Sequence, residues 1–331
     1  MKKVLAIFSG GLDSLLAVCL IRQQGFLVEG VYFETPFFPA ERARQSAKQI
    51  NLPLSIVDIT GEMLTIIKNP RFGYGSGLNP CLDCHLLMCK KACKIMQEKR
   101  YAFIISGEVL GQRPLSQTKE AMLKITKECP CGDYVLRPLS AKLLPPTKAE
   151  QEGWIDRNQL LDIKGRSRAY QIELAKKFGI NDYPAPAGGC LLTDTIFAAR
   201  LKDLLVHQEK INRRDLELLK LGRHFRLNEV TKAIVGRNQR ENEILKRLSL
   251  PEDTALEVIN YPGPFVLIPY GGDFAGEELA SILAVSYSDA PKGKPAIIFI
   301  KQKGKVKEVK AHASPKEELH RYLIKKRRII H

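Results

Sequence analysis

The sequence lacks any long hydrophobic segment. No run among its 331 residues approaches the roughly 20 apolar residues that a membrane-spanning helix requires. The chain opens with Met1-Lys2-Lys3 and five apolar residues, a stretch too short for the apolar part of a signal peptide. We therefore expect a cytoplasmic protein with no membrane partner.

Two common nucleotide-binding motifs are also missing. The chain contains neither the G-x-x-x-x-G-K-[ST] loop of P-loop nucleotidases nor the G-x-G-x-x-G turn of dinucleotide-binding folds. It has no internal repeat and no low-complexity tract, which excludes solenoid and disordered architectures.

Cysteine is absent from the last 141 residues. In a cytoplasmic protein, we expect thiols, metal ligands or catalytic groups rather than disulfides. The eight cysteines are Cys19, Cys81, Cys84, Cys89, Cys93, Cys129, Cys131 and Cys190.

Acidic residues are too few to balance the basic ones. The chain has 52 Lys and Arg against 36 Asp and Glu, a formal charge of +16. Residues 292–331 hold 13 Lys or Arg and three Glu, a net of +10. So concentrated a charge favours a polyanionic partner, which residues such as Lys325, Lys326, Arg327 and Arg328 could contact. The alternative is a solvated lysine-rich face.

The most informative segment of the sequence is Ser9-Gly10-Gly11-Leu12-Asp13-Ser14. It lies between an apolar run, residues 4–8, that predicts a buried strand and a run, residues 15–21, that predicts one face of a helix. The two glycines allow a ligand to approach the backbone, and the start of a helix favours an anion. Asp13 beside a phosphate indicates a shared Mg²⁺.

Strands and helices alternate through the first half of the chain. This order predicts an α/β fold, an open doubly wound parallel sheet with right-handed crossovers. Ligands of such sheets bind at the carboxyl ends of the strands. The predicted strands are 4–8, 27–33, 54–59, 102–106 and 134–137, and the predicted helices are 15–21, 40–50, 81–99, 116–127 and 169–178.

We predict three domains. Residues 1–193 form the doubly wound domain, residues 194–250 a mostly helical extension, and residues 252–331 a small basic α+β domain. His224 interrupts the helical pattern, where it is either a phosphate contact or part of a surface turn. Arg166 and Arg168, near the predicted sheet edge, are either RNA contacts or solvated surface residues.

Several motifs together resemble one family. Residues 9–14 resemble the SGGxDS loop of PP-loop ATP pyrophosphatases. With residues 31–36, 106–118 and 136–139 they recur in this order in tRNA 4-thiouridine synthetases. The chain also resembles tRNA 2-thiouridylases at Asn79-Pro80-Cys81 and Gly188-Gly189-Cys190, and residues 261–301 weakly resemble the NFACT RNA-binding domain. The resemblance to the synthetases covers about residues 1–195 and implies an adenine nucleotide α-hydrolase-like fold.

This resemblance implies ATP-dependent tRNA thiolation. A uridine carbonyl would be adenylated with release of pyrophosphate, and its oxygen replaced by sulfur from free sulfide or a persulfide carrier. A homodimer is compatible with this activity. The alternatives are a PP-loop synthase or amidotransferase acting on a small molecule, and an RNA-binding protein with a non-catalytic nucleotide site. The implied ATP and Mg²⁺ site comprises Ser9, Gly10, Gly11, Asp13, Ser14, Phe33, Gly107 and Gln112, with Asp13 and Cys190 as catalytic residues.

The cysteines leave several hypotheses open. The resemblance implies that Cys81, Cys84 and Cys190 hold a 4Fe-4S cluster, with zinc as an alternative metal. Alternatively, Cys190 carries a persulfide that Cys81 or Cys84 resolves as a disulfide. The run from Cys81 to Cys93 could also form a metal site by itself. The other cysteines are interpreted as follows: Cys19, Cys89 and Cys93 as core thiols, and Cys129 and Cys131 as loop thiols with redox or metal chemistry as the alternative.

Overall fold

A computed structural model describes residues 2–185 and 189–325. Contacts divide the chain into two compact units, Met1–Thr193 and Asp194–His331. The predicted boundary after residue 193 coincides with this division, whereas the predicted boundary at residues 250–252 lies inside the second unit. Of the basic residues named near the C-terminus, Lys326, Arg327 and Arg328 lie outside the described residues, as does Gly188.

Unit 1 is built on a parallel sheet of five strands in the order β3-β2-β1-β4-β5. Its central strand is buried on both faces, as the apolar run Val4-Leu5-Ala6 requires. The order reverses at β1, which confirms the predicted doubly wound α/β fold. The strands are β1 (Lys3–Ile7), β2 (Leu27–Glu34), β3 (Leu54–Asp58), β4 (Ile104–Ser106) and β5 (Val135–Leu136).

Seven helices accompany this sheet within the described part of unit 1. The first is buried over most of its surface because eight of its twelve residues are apolar. It packs against α7, whereas α4 packs against α3 and α5. The helices are α1 (Leu12–Gln23), α2 (Glu41–Gln49), α3 (Thr60–Lys68), α4 (Cys81–Lys99), α5 (Lys119–Glu128), α6 (Lys148–Gln151) and α7 (Ala169–Lys177).

Unit 2 contains an antiparallel sheet of six strands in the order β11-β10-β8-β9-β7-β6. Helix α11 contacts β7, β8, β10 and β11 and closes an apolar core. The strands are β6 (Arg223–Arg226), β7 (Lys232–Val235), β8 (Thr254–Val258), β9 (Val266–Ile268), β10 (Ala296–Gln302) and β11 (Lys305–Ala311), and the helices are α8 (Thr195–His207), α9 (Arg213–Leu218), α10 (Gln239–Leu248), α11 (Phe274–Ser286) and α12 (Lys316–Leu319).

The prediction of a mostly helical segment over 194–250 is wrong in one respect. Strands β6 and β7 lie within it and pair with each other and, through β7, with β9. Each has only four residues, and both begin on a basic residue, so neither forms an apolar run that stands out in the sequence. Strands β8 and β11 were likewise not predicted.

His224 lies neither on a surface turn nor in reach of a phosphate at the surface. Its side chain is fully buried in β6, and Nε2 lies 2.9 Å from the carbonyl oxygen of Leu221. That contact makes Nε2 the donor. Burial, with the charges of Lys232 and Arg200 nearby, lowers the pKa of His224 well below its usual value, so the imidazole is neutral at pH 7.

Candidate functional site

The segment between β1 and α1 forms an open turn at the carboxyl edge of the sheet. Gly10 has a φ of 76°, and a Cβ there would lie 2.7 Å from the Cα of Ala43. Only glycine satisfies both conditions. The carbonyl oxygen of Gly10 accepts a hydrogen bond of 2.8 Å from Ser46 Oγ, which holds the turn against α2.

Helix α1 begins directly after this turn without a side-chain cap. Its N-cap is Gly11, so the N–H groups of its first turn are left for a ligand. The hydroxyls of Ser9 and Ser14 lie 3.2 Å apart beside it, and Ser14 Oγ donates to the Gly11 carbonyl at 2.8 Å. Free N–H groups, two hydroxyls and the positive end of a helix dipole suit a phosphate group.

Asp13 is the one anionic group in the turn. Gln112 Nε2 donates to its Oδ2 at 2.6 Å, while Oδ1 is buried and has no partner among the described residues. Burial raises the pKa of Asp13 above its usual value, and the Gln112 hydrogen bond and the charge of Arg168 oppose this rise. A cation at Oδ1 would satisfy the orphaned oxygen and keep the carboxylate ionised.

The loop after β4 completes the site. A Cβ at Gly107 would lie 2.5 Å from the backbone nitrogen of Ser14, so the loop touches the start of α1. The structure thus brings Gly107 and Gln112 to the phosphate loop. Phe33 is buried near the carboxyl end of the neighbouring strand β2, and its role in binding ATP stays a prediction.

Sequence reasoning missed one residue of this site, Gln171. It is fully buried on α7 and donates through Nε2 to Gln112 Oε1 at 3.3 Å. Its own Oε1 has no partner within residues 2–185 and 189–325, nor has Nε of Arg168. A polar residue on a short helix carries no sequence signal for such a position. The charge of Arg168 lowers the pKa of Asp13, and its predicted roles as an RNA contact or a surface residue stay predictions.

The predicted ligands Cys81, Cys84 and Cys190 lie near the same sheet edge and interact through their charges, but among the described residues their thiols do not form a group within 4.8 Å of one another. Cys81 and Cys84 lie in the first turn of α4, and Asn79 Nδ2 donates to Cys81 Sγ at 3.2 Å. Burial raises the pKa of Cys84, and charges on Cys190 and Cys81 raise it further. Burial likewise raises the pKa of Cys190 to about 11.

Backbone contacts hold the segment that follows Cys190 against this region. Leu78 N donates to the carbonyl oxygen of Leu192 at 3.1 Å, and Leu191 N donates to that of Phe37 at 3.0 Å. Because Phe37 follows β2, these bonds place Cys190 near the carboxyl edge that also carries the phosphate loop.

A charged network joins the cysteines to the phosphate loop. His85, next to Cys84, lies 2.7 Å through Nδ1 from Glu108 Oε1, and Arg137 Nε donates to Glu108 Oε2 at 2.8 Å. Burial alone would raise the pKa of Glu108, but Arg137 and His85 bring it down to about 2. Glu108 adjoins Gly107, so one loop contacts the cysteine helix and the start of α1.

The remaining cysteines correct two expectations. A disulfide joins Cys93 to Cys131, both of which were expected to be thiols, and Cys129 and Cys131 lie in a loop as predicted, where both are buried. Cys89 and Cys93 are buried as predicted. They face this second group, so the run from Cys81 to Cys93 serves two different regions and does not form a single metal site.

Unit 1 therefore has the doubly wound architecture and the phosphate loop of an adenine nucleotide α-hydrolase-like fold. Comparison with known proteins agrees with this class. Residues 1–142 match the family model described as thiamine biosynthesis protein (ThiI), and residues 222–323 match the model described as NFACT protein RNA binding domain. These matches confirm the resemblance of the N-terminal motifs to the 4-thiouridine synthetases and that of the C-terminal part to the NFACT RNA-binding domain, while the resemblance to tRNA 2-thiouridylases stays a prediction.

Two curated relatives carry the name probable tRNA sulfurtransferase. The relative from Agathobacter rectalis is 25% identical over 185 residues, which are 52% of this chain and 41% of the relative. The relative from Clostridium acetobutylicum is 25% identical over 181 residues, which are 52% of this chain and 42% of the relative. The chain thus matches less than half the length of either.

One solved structure that matches part of this chain is a 4-thiouridine synthetase–RNA complex with bound ATP. The match is 23% identical, spans 54% of this chain and 41% of the synthetase chain, and has a TM-score of 0.38. No helix in the described residues is long and apolar enough to cross a membrane.

Proposed function

We propose that this chain is an ATP-dependent tRNA sulfurtransferase. It adenylates a uridine carbonyl, releases pyrophosphate and replaces the carbonyl oxygen with sulfur. The observation that carries the proposal is the loop of Gly107 and Glu108, which touches both the phosphate loop and the helix that begins at Cys81. A nucleotide and a sulfur-bearing thiol at one sheet edge are what this reaction needs. The names of the matched relatives support the same activity.

The phosphate loop would bind ATP through its backbone. The N–H groups at the start of α1 and the hydroxyls of Ser9 and Ser14 would hold the pyrophosphate, and Asp13 would hold Mg²⁺ through its orphaned Oδ1. Gln112 fixes Asp13, and Gln171 fixes Gln112. These two hydrogen-bonded amides would orient the Asp13 carboxylate before ATP binds. The site would then need less rearrangement during the reaction.

Cys81, Cys84 and Cys190 would supply the sulfur chemistry. These three thiols would hold a 4Fe-4S cluster, which would supply an iron centre for sulfur chemistry beside the nucleotide site. The alternative is a persulfide on Cys190. In both cases the backbone hydrogen bonds of the following segment would hold the half-buried Cys190 thiol in place.

Unit 2 would bind the RNA backbone. Strand β11 lies at an edge of the sheet and exposes Lys305, Lys307 and Lys310. Edge lysines also prevent sheets from pairing with one another, so exposure alone does not separate the two roles. The match of residues 222–323 to an RNA-binding family model favours RNA.

Product analysis tests the proposed reaction. Anaerobically purified protein is incubated with ATP, Mg²⁺, sulfide and tRNA, and the nucleotide products and the thiolated nucleosides are measured. We expect AMP, pyrophosphate and thiouridine. Asp13→Ala should abolish all three while the fold is retained, whereas Asp162→Ala, an exposed carboxylate of the same unit, should leave them unchanged.

Any other set of products would indicate a different function. ADP with phosphate would overturn the adenylation step. AMP formed without tRNA, and stimulated by ammonia, would identify a small-molecule synthase. Tight tRNA binding without ATP turnover would identify an RNA-binding protein with a non-catalytic nucleotide site.

A further inference from the structure

Four cysteines that the proposed reaction does not use form one buried cluster. Cys89 and Cys93 lie on α4, and Cys129 and Cys131 lie in the turn after α5. Each is no more than 5% exposed. The Sγ atoms of Cys93, Cys129 and Cys131 all lie within 4.8 Å of one another, and Cys89, outside that group, interacts electrostatically with Cys129.

The backbone brings the four sulfurs together from two rigid segments. Cys89 and Cys93 are four residues apart on one helix, so they lie on the same face one turn apart. The second pair sits in a tight turn in which Gly132 N donates to the Cys129 carbonyl at 3.0 Å. A Cβ at Gly132 would lie 1.8 Å from the carbonyl oxygen of Thr126, so the turn requires glycine.

The disulfide between Cys93 and Cys131 accounts for only half of this arrangement. Cys89 and Cys129 also lie beside the disulfide, although they take no part in that bond. We propose that the reduced cluster is a structural zinc site in which Cys89, Cys93, Cys129 and Cys131 are the four ligands. This assignment is independent of the proposed tRNA reaction.

The spacing of the sulfurs favours a single ion over an iron–sulfur cluster. Tetrahedral zinc with Zn–S bonds of about 2.3 Å holds its sulfurs about 3.8 Å apart. Reduction of the Cys93–Cys131 bond would free two sulfurs that, with Cys129, lie within 4.8 Å of one another, close enough for one ion to reach all three. A cubane cluster places iron and sulfide between its ligands and so holds their sulfurs farther apart.

The surroundings of the cluster balance the charge of a tetrathiolate site. Zinc with four thiolates carries a net charge of −2. The charges of Arg137 and Lys90 act on Cys129, and that of Arg137 also acts on Cys89. The backbone N–H of Cys131 is hydrogen-bonded to Cys129. Cations and N–H donors of this kind stabilise thiolate ligands.

The conversion from disulfide to zinc site can be written in two balanced steps. A dithiol reductant gives two electrons and two protons to the Cys93–Cys131 bond and is itself oxidised to a disulfide. The four thiols then bind Zn²⁺ and release four protons to the buffer. The bound ion would tie the middle of α4 to the turn that precedes β5.

Zinc titration of the full chain tests the site. The variant Cys81→Ala/Cys84→Ala/Cys190→Ala removes the other cysteine group, so that only the four-cysteine cluster can bind tightly. After reduction with a dithiol and desalting under anaerobic conditions, this variant should bind about one zinc per chain and, with Co²⁺ instead, show the intense visible absorption of a tetrahedral thiolate complex. Cys19→Ala, a thiol on α1, should change neither result in the same background.

Substitution of one proposed zinc ligand is the second part of the test. Cys129→Ala in the same background should reduce bound zinc to less than about a tenth of one ion per chain. The Co²⁺ spectrum of the variant that keeps the cluster does not depend on whether this mutant folds. Absence of zinc from that reduced variant, or a cobalt spectrum without thiolate character, would overturn the proposal, as would full zinc retention in folded Cys129→Ala.

Discussion

Substitution of Glu108 by Gln should destabilise unit 1 through the loss of one buried charge. Glu108 accepts a hydrogen bond of 2.8 Å from Arg137 Nε and lies 2.7 Å from Nδ1 of His85. Arg137 is only 5% exposed. Gln has nearly the same shape as Glu but carries no charge, so the change leaves the packing intact and deprives a buried guanidinium of its counter-ion.

The expected magnitude follows from the pKa of Glu108. Although burial opposes ionisation, Arg137 and His85 lower this pKa from 4.5 to about 2. That difference corresponds to about 3 kcal/mol of stabilisation. Because the folded-state pKa is depressed, the contribution is complete above pH 4.5 and is lost as the pH falls towards 2. Removing one partner of a buried pair costs about 3–5 kcal/mol, which agrees with this value.

The single tryptophan of the chain provides the assay. Trp154 packs against the core of unit 1, so its fluorescence during urea unfolding reports on that unit. At pH 7 the free energy of unfolding should be about 3 kcal/mol lower for Glu108→Gln than for the unchanged protein. This difference in the free energy of unfolding between the two proteins should become smaller as the pH falls from 4.5 to 2. Glu98→Gln, an exposed glutamate on α4, should change stability by less than about 0.5 kcal/mol.

Two results would refute the reasoning. If Glu108→Gln unfolds at the same urea concentration as the unchanged protein at pH 7, the network does not stabilise unit 1. If the difference in the free energy of unfolding is large but equal at pH 7 and pH 3, the loss of stability comes from packing and not from the charge of Glu108.

Two further predictions concern other parts of the chain. Gly10→Ala should weaken ATP binding at least about tenfold, because the added Cβ would lie 2.7 Å from the Cα of Ala43. Equilibrium dialysis measures the affinity for ATP, and an unchanged affinity would contradict the role of the turn. Asp203→Asn should destabilise unit 2 by about 3–5 kcal/mol, since Arg226 and Lys232 share this buried carboxylate. Hydrogen exchange at the β6–β7 pair measures it, and unaltered protection there would show that the pairs do not stabilise the sheet.

The phosphate loop could be predicted because all its determinants are local. A strand, two glycines, an aspartate and a helix start lie within about 15 consecutive residues, and each has its own sequence signal. The parallel sheet followed from the alternation of strands and helices for the same reason. The structure confirms these elements, with boundaries that differ by a few residues.

Residues that act through tertiary contacts could not be predicted in this way. Gln171 meets Gln112 only because α7 packs against α1. His224 was expected at the surface because the glycine and arginines around it are typical of turns. The pairing of β6 with β7 instead buries it, and no property of the four-residue strand reveals that partner.

The cysteines show where spacing alone misleads. Cys81, Cys84, Cys89 and Cys93 read in order as one ligand set, yet they lie on a single rigid helix whose two parts meet different partners. The first pair interacts with Cys190 through charge, and the second lies beside Cys129 and Cys131. A helix rises 1.5 Å per residue, so Cys81 and Cys93 lie about 18 Å apart along its axis, too far to share one metal ion. Only the distant cysteines decide which pair belongs to which site, and their positions depend on the fold.

The helix α4 therefore connects the two cysteine groups mechanically. Its first turn presents Cys81 and Cys84 at the sheet edge, and His85 anchors that turn to Glu108, which adjoins the phosphate loop. About 12 Å further along the axis, the second group fixes the helix to the turn before β5. A shift of α4 would break both connections at once. Stabilisation of the second group thus helps to hold the first pair of thiols in register with the nucleotide, although its own sulfurs take no part in the proposed reaction.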